Sequence, residues 1–191
     1  MNNVYIEDKS FERIDYTEKE LTKAEYDNCT FTDCDFSNAD LSGMAFSECE
    51  FSGCNLSNVK TIKTSFRDVQ FEDSKLLGIH FENCDDFLFS VSFTNCILNL
   101  SSFYKLKIKK TTFKNCSLHE VDFTEADLTG SVFETCDLLM AAFENTILEK
   151  ADLRTAFNYS IDPTINKIKK AMFSKAGITG LLDKLDIKID D

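Results

Sequence analysis

The sequence is poor in the residues that make ordinary turns, and it has no tryptophan. It contains one proline and six glycines among 191 residues. A β-sandwich or barrel needs turn residues about every 8 to 12 positions, so the composition argues against both. No apolar run approaches the roughly 18 residues of a membrane span. The N-terminus, Met1–Asp8, lacks the basic and apolar regions of a signal peptide. The sequence therefore predicts a cytoplasmic protein.

Basic residues are also scarce relative to acidic ones. The chain has 21 lysines and arginines against 33 aspartates and glutamates, a formal net charge of −12. Binding to nucleic acid or to an anionic membrane requires basic patches, so neither is an expected partner. The charge fits a basic protein partner, and it equally fits plain solubility.

Large apolar residues recur at every fifth position. The first series has one polar member, Thr61. It consists of Phe11, Tyr16, Leu21, Tyr26, Phe31, Phe36, Leu41, Phe46, Phe51, Leu56, Thr61, Phe66, Phe71, Leu76 and Phe81. The second runs without exception as Phe93, Leu98, Phe103, Ile108, Phe113, Leu118, Phe123, Leu128, Phe133, Leu138, Phe143, Leu148 and Leu153. A period of five matches neither an α-helix nor a flat strand.

Two positions before most of these central residues stands a small residue that is usually apolar, such as Ala24, Cys29 or Val59. The other three positions of each five are mostly polar. This pattern predicts an all-β, right-handed quadrilateral parallel β-helix over residues 1–173, with one pentapeptide per side and about 20 residues per coil. Eight or so coils at about 4.8 Å each give a rod about 38 Å long. Stacking of neighbouring coils would bury the apolar residues.

The segments Ala39-Asp40-Leu41, Ala126-Asp127-Leu128 and Ala151-Asp152-Leu153 resemble the consensus of the pentapeptide repeat family, Ala-(Asp/Asn)-Leu-x-x. The resemblance covers about residues 10–173 and implies the same β-helix.

Two places depart from the repeat. The spacing from Phe81 to Phe93 is twelve, which predicts a two-residue insertion near Asp85, Asp86 and Phe87; it is either a tolerated irregularity or a functional loop.

From Ser174 the spacing of apolar residues becomes helical, which predicts a short α-helix with Ser174 as N-cap, followed by a short strand, over residues 174–191. Quinolone-resistance (Qnr-type) members end in a similar Leu-Leu-x-x-Leu segment that forms a two-fold dimer. The resemblance implies a homodimer through Ile178, Leu181, Leu182, Leu185, Ile187 and Ile189, and a monomeric cap is the alternative.

The cysteines and histidines do not indicate a catalytic or metal site. All eight cysteines occupy the small inward position, where a free thiol serves as a small apolar group. His80 and His119 take outward positions without convergent metal ligands. We expect no cofactor, no metal and no enzymatic activity.

Acidic residues concentrate in residues 15–50 and 117–153, on either side of a basic belt from Lys105 to Lys114. Many stand just before a central residue, where the consensus has Asp or Asn, so their acidity belongs partly to the fold. The candidate partner-binding acids are Asp15, Glu20, Asp35, Asp40, Glu50, Asp122, Asp127 and Asp137.

Qnr-type and mycobacterial fluoroquinolone-resistance members imitate duplex DNA and engage DNA gyrase or topoisomerase IV. The resemblance implies that function here, with modulation of the enzyme or protection from quinolones or a gyrase toxin. The alternative is a scaffold or adaptor that binds another protein through the basic belt or the insertion.

Overall fold

The computed structural model describes residues 4–185 and 187–188, which form a parallel β-solenoid of about eight turns with four sides. Its strands are β1 (Tyr5–Glu7), β2 (Ser10–Glu12), β3 (Glu25–Asp27), β4 (Thr30–Thr32), β5 (Ala45–Ser47), β6 (Glu50–Ser52), β7 (Ser65–Arg67), β8 (Val69–Glu72), β9 (Val91–Thr94), β10 (Thr112–Lys114), β11 (Val132–Glu134), β12 (Asp152–Leu153) and β13 (Met172–Phe173). Short 3₁₀ turns span Phe81–Asn83, Gly177–Leu181 and Asp183–Leu185.

The four sides, named A to D in chain order, differ in how their strands pair. Side A holds a four-stranded parallel sheet in the order β1-β3-β5-β7, and side B holds a nine-stranded sheet that runs from β2 to β13. Within side C and within side D, successive coils are joined by isolated parallel bridges. Asp15 pairs with Asp35 on side C, and Asp40 pairs with Lys60 on side D. Most partners are 20 residues apart, which confirms the predicted coil length.

The central residues point inward and stack on their counterparts in the next coil, as predicted. On side B the rings of Phe31 and Phe51 stack with centroids 4.7 Å apart, and Phe113 and Phe133 repeat the arrangement at 5.0 Å. The defect in the first series, Thr61, also faces inward and is buried; its hydroxyl donates to the carbonyl of His80 at 2.9 Å. Ile62 is exposed.

The small inward position carries a weak donor in many coils. All eight cysteines are free and buried there, and the Cys54 thiol donates to the carbonyl of Phe31 at 3.3 Å in the preceding coil. Serine and threonine make the same bond: Ser101 donates to the Leu76 carbonyl at 2.6 Å, and Thr146 to that of Phe123 at 2.9 Å. This slot holds mostly small side chains, with Met44, Ile79 and Leu106 as larger members, and a buried thiol fills it as a small apolar group.

Most sides end at a residue with a left-handed backbone, which turns the chain through the corner. Asp68, Lys110 and Glu120 adopt φ values of 53°, 59° and 56° there. Asparagine, aspartate and glycine tolerate this conformation best. Corners therefore place charged side chains in solvent at regular intervals along four edges of the rod.

Candidate interaction surface

The six aspartates among the predicted acidic residues hold the turns of the solenoid together. Each aspartate in the position before a central residue accepts a hydrogen bond from the backbone two residues later: Asp15 from Thr17 N at 2.8 Å, Asp35 from Ser37 N at 2.8 Å. Asn55 does the same for Ser57 N at 3.2 Å. The hydroxyl and backbone of Thr17 lower the pKa of Asp15. These carboxylates therefore have a structural task that an amide also performs.

The structure does not bring the eight predicted acids together. They lie on four different sides: Asp15, Asp35 and Asp137 on side C, Glu20, Asp40 and Asp122 on side D, Glu50 on side B and Asp127 on side A. Other residues interrupt each column. Asp35 is followed by Asn55 and Lys75, and Asp40 is followed by Lys60. The eight residues thus form no continuous acidic surface.

Two of these acids are also paired with basic groups. Lys109 Nζ lies 3.1 Å from Asp127 Oδ2, and His119 Nε2 lies 2.8 Å from Asp137 Oδ2. Burial raises the pKa of Asp137, but the adjacent His119 ring and a hydrogen bond from Asn158 outweigh it, so the pKa is lowered.

The predicted basic belt is partly neutralised by acids of the following coil. Lys105 Nζ lies 3.6 Å from Glu125, and Lys114 Nζ lies 3.3 Å from Glu134. Together with Lys109, these lysines connect consecutive coils through exposed ion pairs. Lys107 and Lys110 complete the belt and are exposed on side A.

The densest acidic surface lies on side A and its corner toward side B, over the first five levels, which are residues 5–8, 25–28, 45–48, 65–68 and 85–88. We call it the acidic strip. It holds eight carboxylates and one arginine, a net charge of −7. Its acids are Glu7, Asp8, Glu25, Asp27, Glu48, Asp68, Asp85 and Asp86. Most are exposed, and Tyr5 Oη donates to Asp27 at 2.5 Å, which raises the pKa of Tyr5 to about 12.

Sequence reasoning named only Asp85 and Asp86 among these acids. It followed one position of each pentapeptide, whereas the strip gathers four positions from a single side. Reading positions at a period of 20 would have found them. The other four levels of side A, residues 107–110, 127–130, 147–150 and 167–170, have the opposite charge. They hold seven lysines and two acids, a net charge of +5, and we call them the basic strip.

The fold and its repeat agree with a known sequence family. The profile of the pentapeptide repeat region matches residues 24–86 and 87–157. The chain belongs to the pentapeptide repeat family. No curated protein matches it significantly.

Solved pentapeptide repeat structures resemble this one. A trypsin-treated variant of QnrB1, a plasmid-mediated fluoroquinolone resistance protein, is 18% identical with a TM-score of 0.60, over 99% of this chain and 100% of that one. HetL, a pentapeptide repeat protein involved in heterocyst differentiation regulation from the cyanobacterium Nostoc sp. strain PCC 7120, is 17% identical with a TM-score of 0.47, over 88% and 86%. At this identity the likeness to QnrB1 shows the fold.

The irregularity in this pentapeptide repeat lies between Asp85 and Val91. Asp85 bridges to Ser65, 20 residues earlier, and Leu88 has the left-handed corner conformation with φ of 59°. Val91 pairs with Val69, 22 residues earlier, so the two extra residues lie within residues 86–90. Asp86 takes the central position yet is exposed. The half-buried ring of Phe89 enters the core instead, 6.3 Å from Phe66 and 6.2 Å from Phe81.

The insertion leaves two large apolar side chains in solvent. Phe87 is 64% exposed and Leu88 is 65% exposed. The guanidinium of Arg67 lies 5.9 Å from the ring centroid of Phe87 and covers it partly. Phe87 and Leu88 form an apolar knob at the fifth of nine levels of side A.

The prediction of an α-helix after Ser174 was wrong. Residues Gly177–Leu181 and Asp183–Leu185 form separate 3₁₀ turns. Gly180 packs so closely on Tyr159 that a Cβ atom would meet the Tyr159 carbonyl oxygen at 2.2 Å, and its own carbonyl accepts a hydrogen bond from Ile161 N at 2.8 Å. This attachment and two glycines oppose a regular helix. Ser174 Oγ does accept from Gly177 N at 2.9 Å.

The predicted dimer residues are partly exposed. Ile178, Leu185 and Ile187 are each more than half exposed, whereas Leu181 packs against the core and Leu182 is half-buried. Ile189 and most of the predicted final strand lie outside the described residues. The dimer contact itself stays a prediction.

Within the described residues no cluster of three or more histidine, cysteine or acidic side chains is arranged to hold a metal ion. Nor does that part of the chain contain a helix long and apolar enough to cross a membrane.

Proposed function

We propose that this pentapeptide repeat protein is a non-catalytic imitator of duplex DNA that binds a type II topoisomerase, DNA gyrase or topoisomerase IV. It would modulate the enzyme or protect it from quinolones or a gyrase-directed toxin. The acidic strip is the observation that carries the proposal, because it is the surface on which carboxylates follow each other from coil to coil.

The charge density of the strip approaches that of DNA. Five levels at about 4.8 Å extend over about 19 Å, so a net charge of −7 amounts to roughly one charge per 2.7 Å. The duplex carries about one charge per 1.7 Å. The whole chain, with −12 over about 38 Å, reaches only about one per 3 Å.

The strip is also held rigidly, as a mimic of a stiff duplex requires. Its side-A strands pair in parallel register, with Glu25 opposite Ala45 and Asp27 opposite Ser47. Neighbouring corners are linked by side chains, since Asn28 Nδ2 donates to Asp8 at 2.7 Å. A basic groove that binds phosphates can therefore meet these carboxylates at small entropic cost.

The test compares two variants of equal charge. The strip variant carries Glu7→Gln, Asp8→Asn, Asp27→Asn, Glu48→Gln and Asp68→Asn. The control variant carries Glu12→Gln, Glu72→Gln, Glu120→Gln, Glu134→Gln and Glu144→Gln, five exposed acids on the other sides. Gyrase and topoisomerase IV supercoiling and relaxation are measured with each protein, with and without ciprofloxacin.

We expect the wild-type and control proteins to change topoisomerase activity at micromolar concentration, and the strip variant to lose the effect. Equal loss in both variants would assign the effect to net charge and contradict a role for the strip. No effect of the wild-type protein on either enzyme would overturn the proposal.

An adaptor function is the second candidate, and the exposed knob of Phe87 and Leu88 beside the basic belt favours it. A partner of that kind would protect the belt and the knob from hydrogen exchange and leave the strip acids exposed. A pull-down with the wild-type protein and a variant carrying Phe87→Ser and Leu88→Ser tests this, because only the wild-type protein should then retain the partner.

A further inference from the structure

Side A has opposite charges at its two ends and an apolar centre. The acidic strip occupies levels one to five with a net charge of −7, and the basic strip occupies levels six to nine with +5. The knob of Phe87 and Leu88 stands at level five, with four levels on either side. Such a surface is complementary to itself once it is turned end over end.

We propose that side A binds a second copy of this chain in antiparallel orientation. The two-fold axis passes between the two faces, at right angles to the rods, through level five. Phe87 and Leu88 of each copy then meet their counterparts at the axis. Levels one to four of the acidic strip of each copy face the basic strip of the other.

The corner toward side B carries most of the complementarity. A two-fold axis through level five places level one opposite level nine and level four opposite level six. Asp8 then faces Lys170 of the second copy, and Asp68 faces its Lys110. All four side chains are exposed, and their backbones share the left-handed corner conformation.

The remaining corner levels are compatible with this contact. Asn28 faces Lys150, and Glu48 faces Gly130, which has no side chain to obstruct it. Within side A, four contacts are less favourable, because Arg67 faces Lys109, Asp27 faces Glu149, and Asp85 and Asp86 each lie beside their own counterparts at the axis. The corner pairs and the apolar centre must therefore dominate the contact.

Other arrangements of two side-A faces lack this match. In a parallel arrangement each level would face the same level of the second chain, so that acids would face acids and lysines would face lysines. Like charges in direct opposition are unfavourable. The charge pattern therefore selects the antiparallel arrangement.

This association also covers the acidic strip. A second copy and a basic protein partner would compete for the same carboxylates, so self-association would limit access to the strip. The contact itself does not depend on the proposed function, and its test involves no topoisomerase.

The decisive experiment uses two charge-reversed full-length chains, Asp68→Lys and Lys110→Asp. Each variant alone would place like charges together at two symmetric points of the contact. A mixture of the two restores both pairs, because Lys at position 68 of one chain meets Asp at position 110 of the other. Glu120→Lys is the matched control, since Glu120 occupies the diagonally opposite corner with the same backbone conformation.

Sedimentation velocity over about 1 to 100 µM, at about 0.05 and 0.5 M salt, should show a salt-sensitive wild-type dimer. The dissociation constant should rise about tenfold for each variant alone, and return toward the wild-type value in the mixture. Native mass spectrometry of the mixture should show more mixed dimers than random pairing gives. The Glu120→Lys variant should behave as the wild-type protein, and circular dichroism confirms that every variant is folded.

A monomeric wild-type protein at the highest concentration and lowest salt would overturn the proposal. So would a dimer whose two variants pair at random, because association through the C-terminal segment does not sense positions 68 and 110. Loss of topoisomerase modulation, in contrast, would leave this result unaffected.

Discussion

The coils before and after the insertion fill the same square core in different ways. Before it, aromatic rings come mainly from the adjacent sides A and B, as in the edge-to-face contact of Phe46 and Phe51 at 5.5 Å. After it, they come from the opposite sides B and D, as in the contact of Phe93 and Phe103 at 6.1 Å. Side A then carries aliphatic residues such as Leu128. Side B keeps its ring column from Phe11 to Phe133, after which Leu153 interrupts it.

This difference shows what the core requires. Rings stack within a column and meet the neighbouring column edge to face, whichever side that column comes from. Beside side B, the second column of rings moves from side A to side D at the level of the insertion. At that level the central position of side A is Asp86, whose side chain stays in solvent. Phe89 fills the space between Phe66 of the first arrangement and Phe81 of the second. The insertion is thus a packing device at a junction, and it exposes Phe87 and Leu88 as a consequence.

The largest expected effect comes from removing the ring that joins the two arrangements on side B. Phe93 is fully buried and stacks on Phe71 at 5.4 Å and on Phe113 at 5.2 Å. Phe93→Ala should reduce the free energy of unfolding by about 4 kcal/mol. Because each coil is stabilised by its neighbours, the two halves should also lose cooperativity, and urea unfolding should broaden or separate into two steps.

Phe143→Ala provides the control for that variant. Phe143 is buried near the end of the rod and stacks on Phe123 alone among the described rings, at 5.3 Å. It should lower stability while leaving one transition. If Phe93→Ala unfolds as cooperatively as the wild-type protein, the two halves do not depend on this ring for their coupling.

A smaller effect is expected at the insertion itself. Phe89→Ala removes a half-buried ring that contacts both arrangements and should cost about 2 kcal/mol. Phe87→Ala, two residues away and 64% exposed, should change the free energy of unfolding by less than about 0.5 kcal/mol. Chemical denaturation of both variants measures the difference. Equal effects would mean that Phe89 is not the residue that fills the junction.

The sequence predicted the solenoid because its period is a local property. Inward positions repeat every five residues, and one misplaced residue such as Thr61 does not hide them. The insertion was found by spacing alone, but the extra residues could not be assigned, because Phe87 and Phe89 are both candidates for the inward position. Tertiary contacts decide between them, because the ring of Phe89 lies against Phe66 and Phe81 whereas Phe87 is exposed.

The remaining failures have a tertiary origin. Helical spacing around Leu181 did not reveal that Gly180 is attached to Tyr159, which prevents a regular helix. The candidate acids were chosen by their place within one pentapeptide, and that place distributes them over all four sides. The acidic strip depends on which residues share a side, so acids such as Asp8 and Asp68 become neighbours only at a period of 20.

The smallest expected effect separates structural acidity from functional acidity. Asp40 accepts a hydrogen bond from Ser42 N at 2.9 Å, so Asp40→Ala should lower the free energy of unfolding by about 0.5 kcal/mol. Asp40→Asn keeps the acceptor oxygen, as Asn55 does on side C, and should be less destabilising at pH 7 than Asp40→Ala. The hydrogen bonds of Ser42 lower the pKa of Asp40 below 3.8. The advantage of the carboxylate over a neutral acceptor is therefore present above pH 3.8 and lost as the pH falls through the lowered pKa. Thermal unfolding between pH 2 and 7 should thus show a small deficit of Asp40→Asn at pH 7 that disappears toward pH 2, and equal stabilities at every pH would contradict a contribution of the charge.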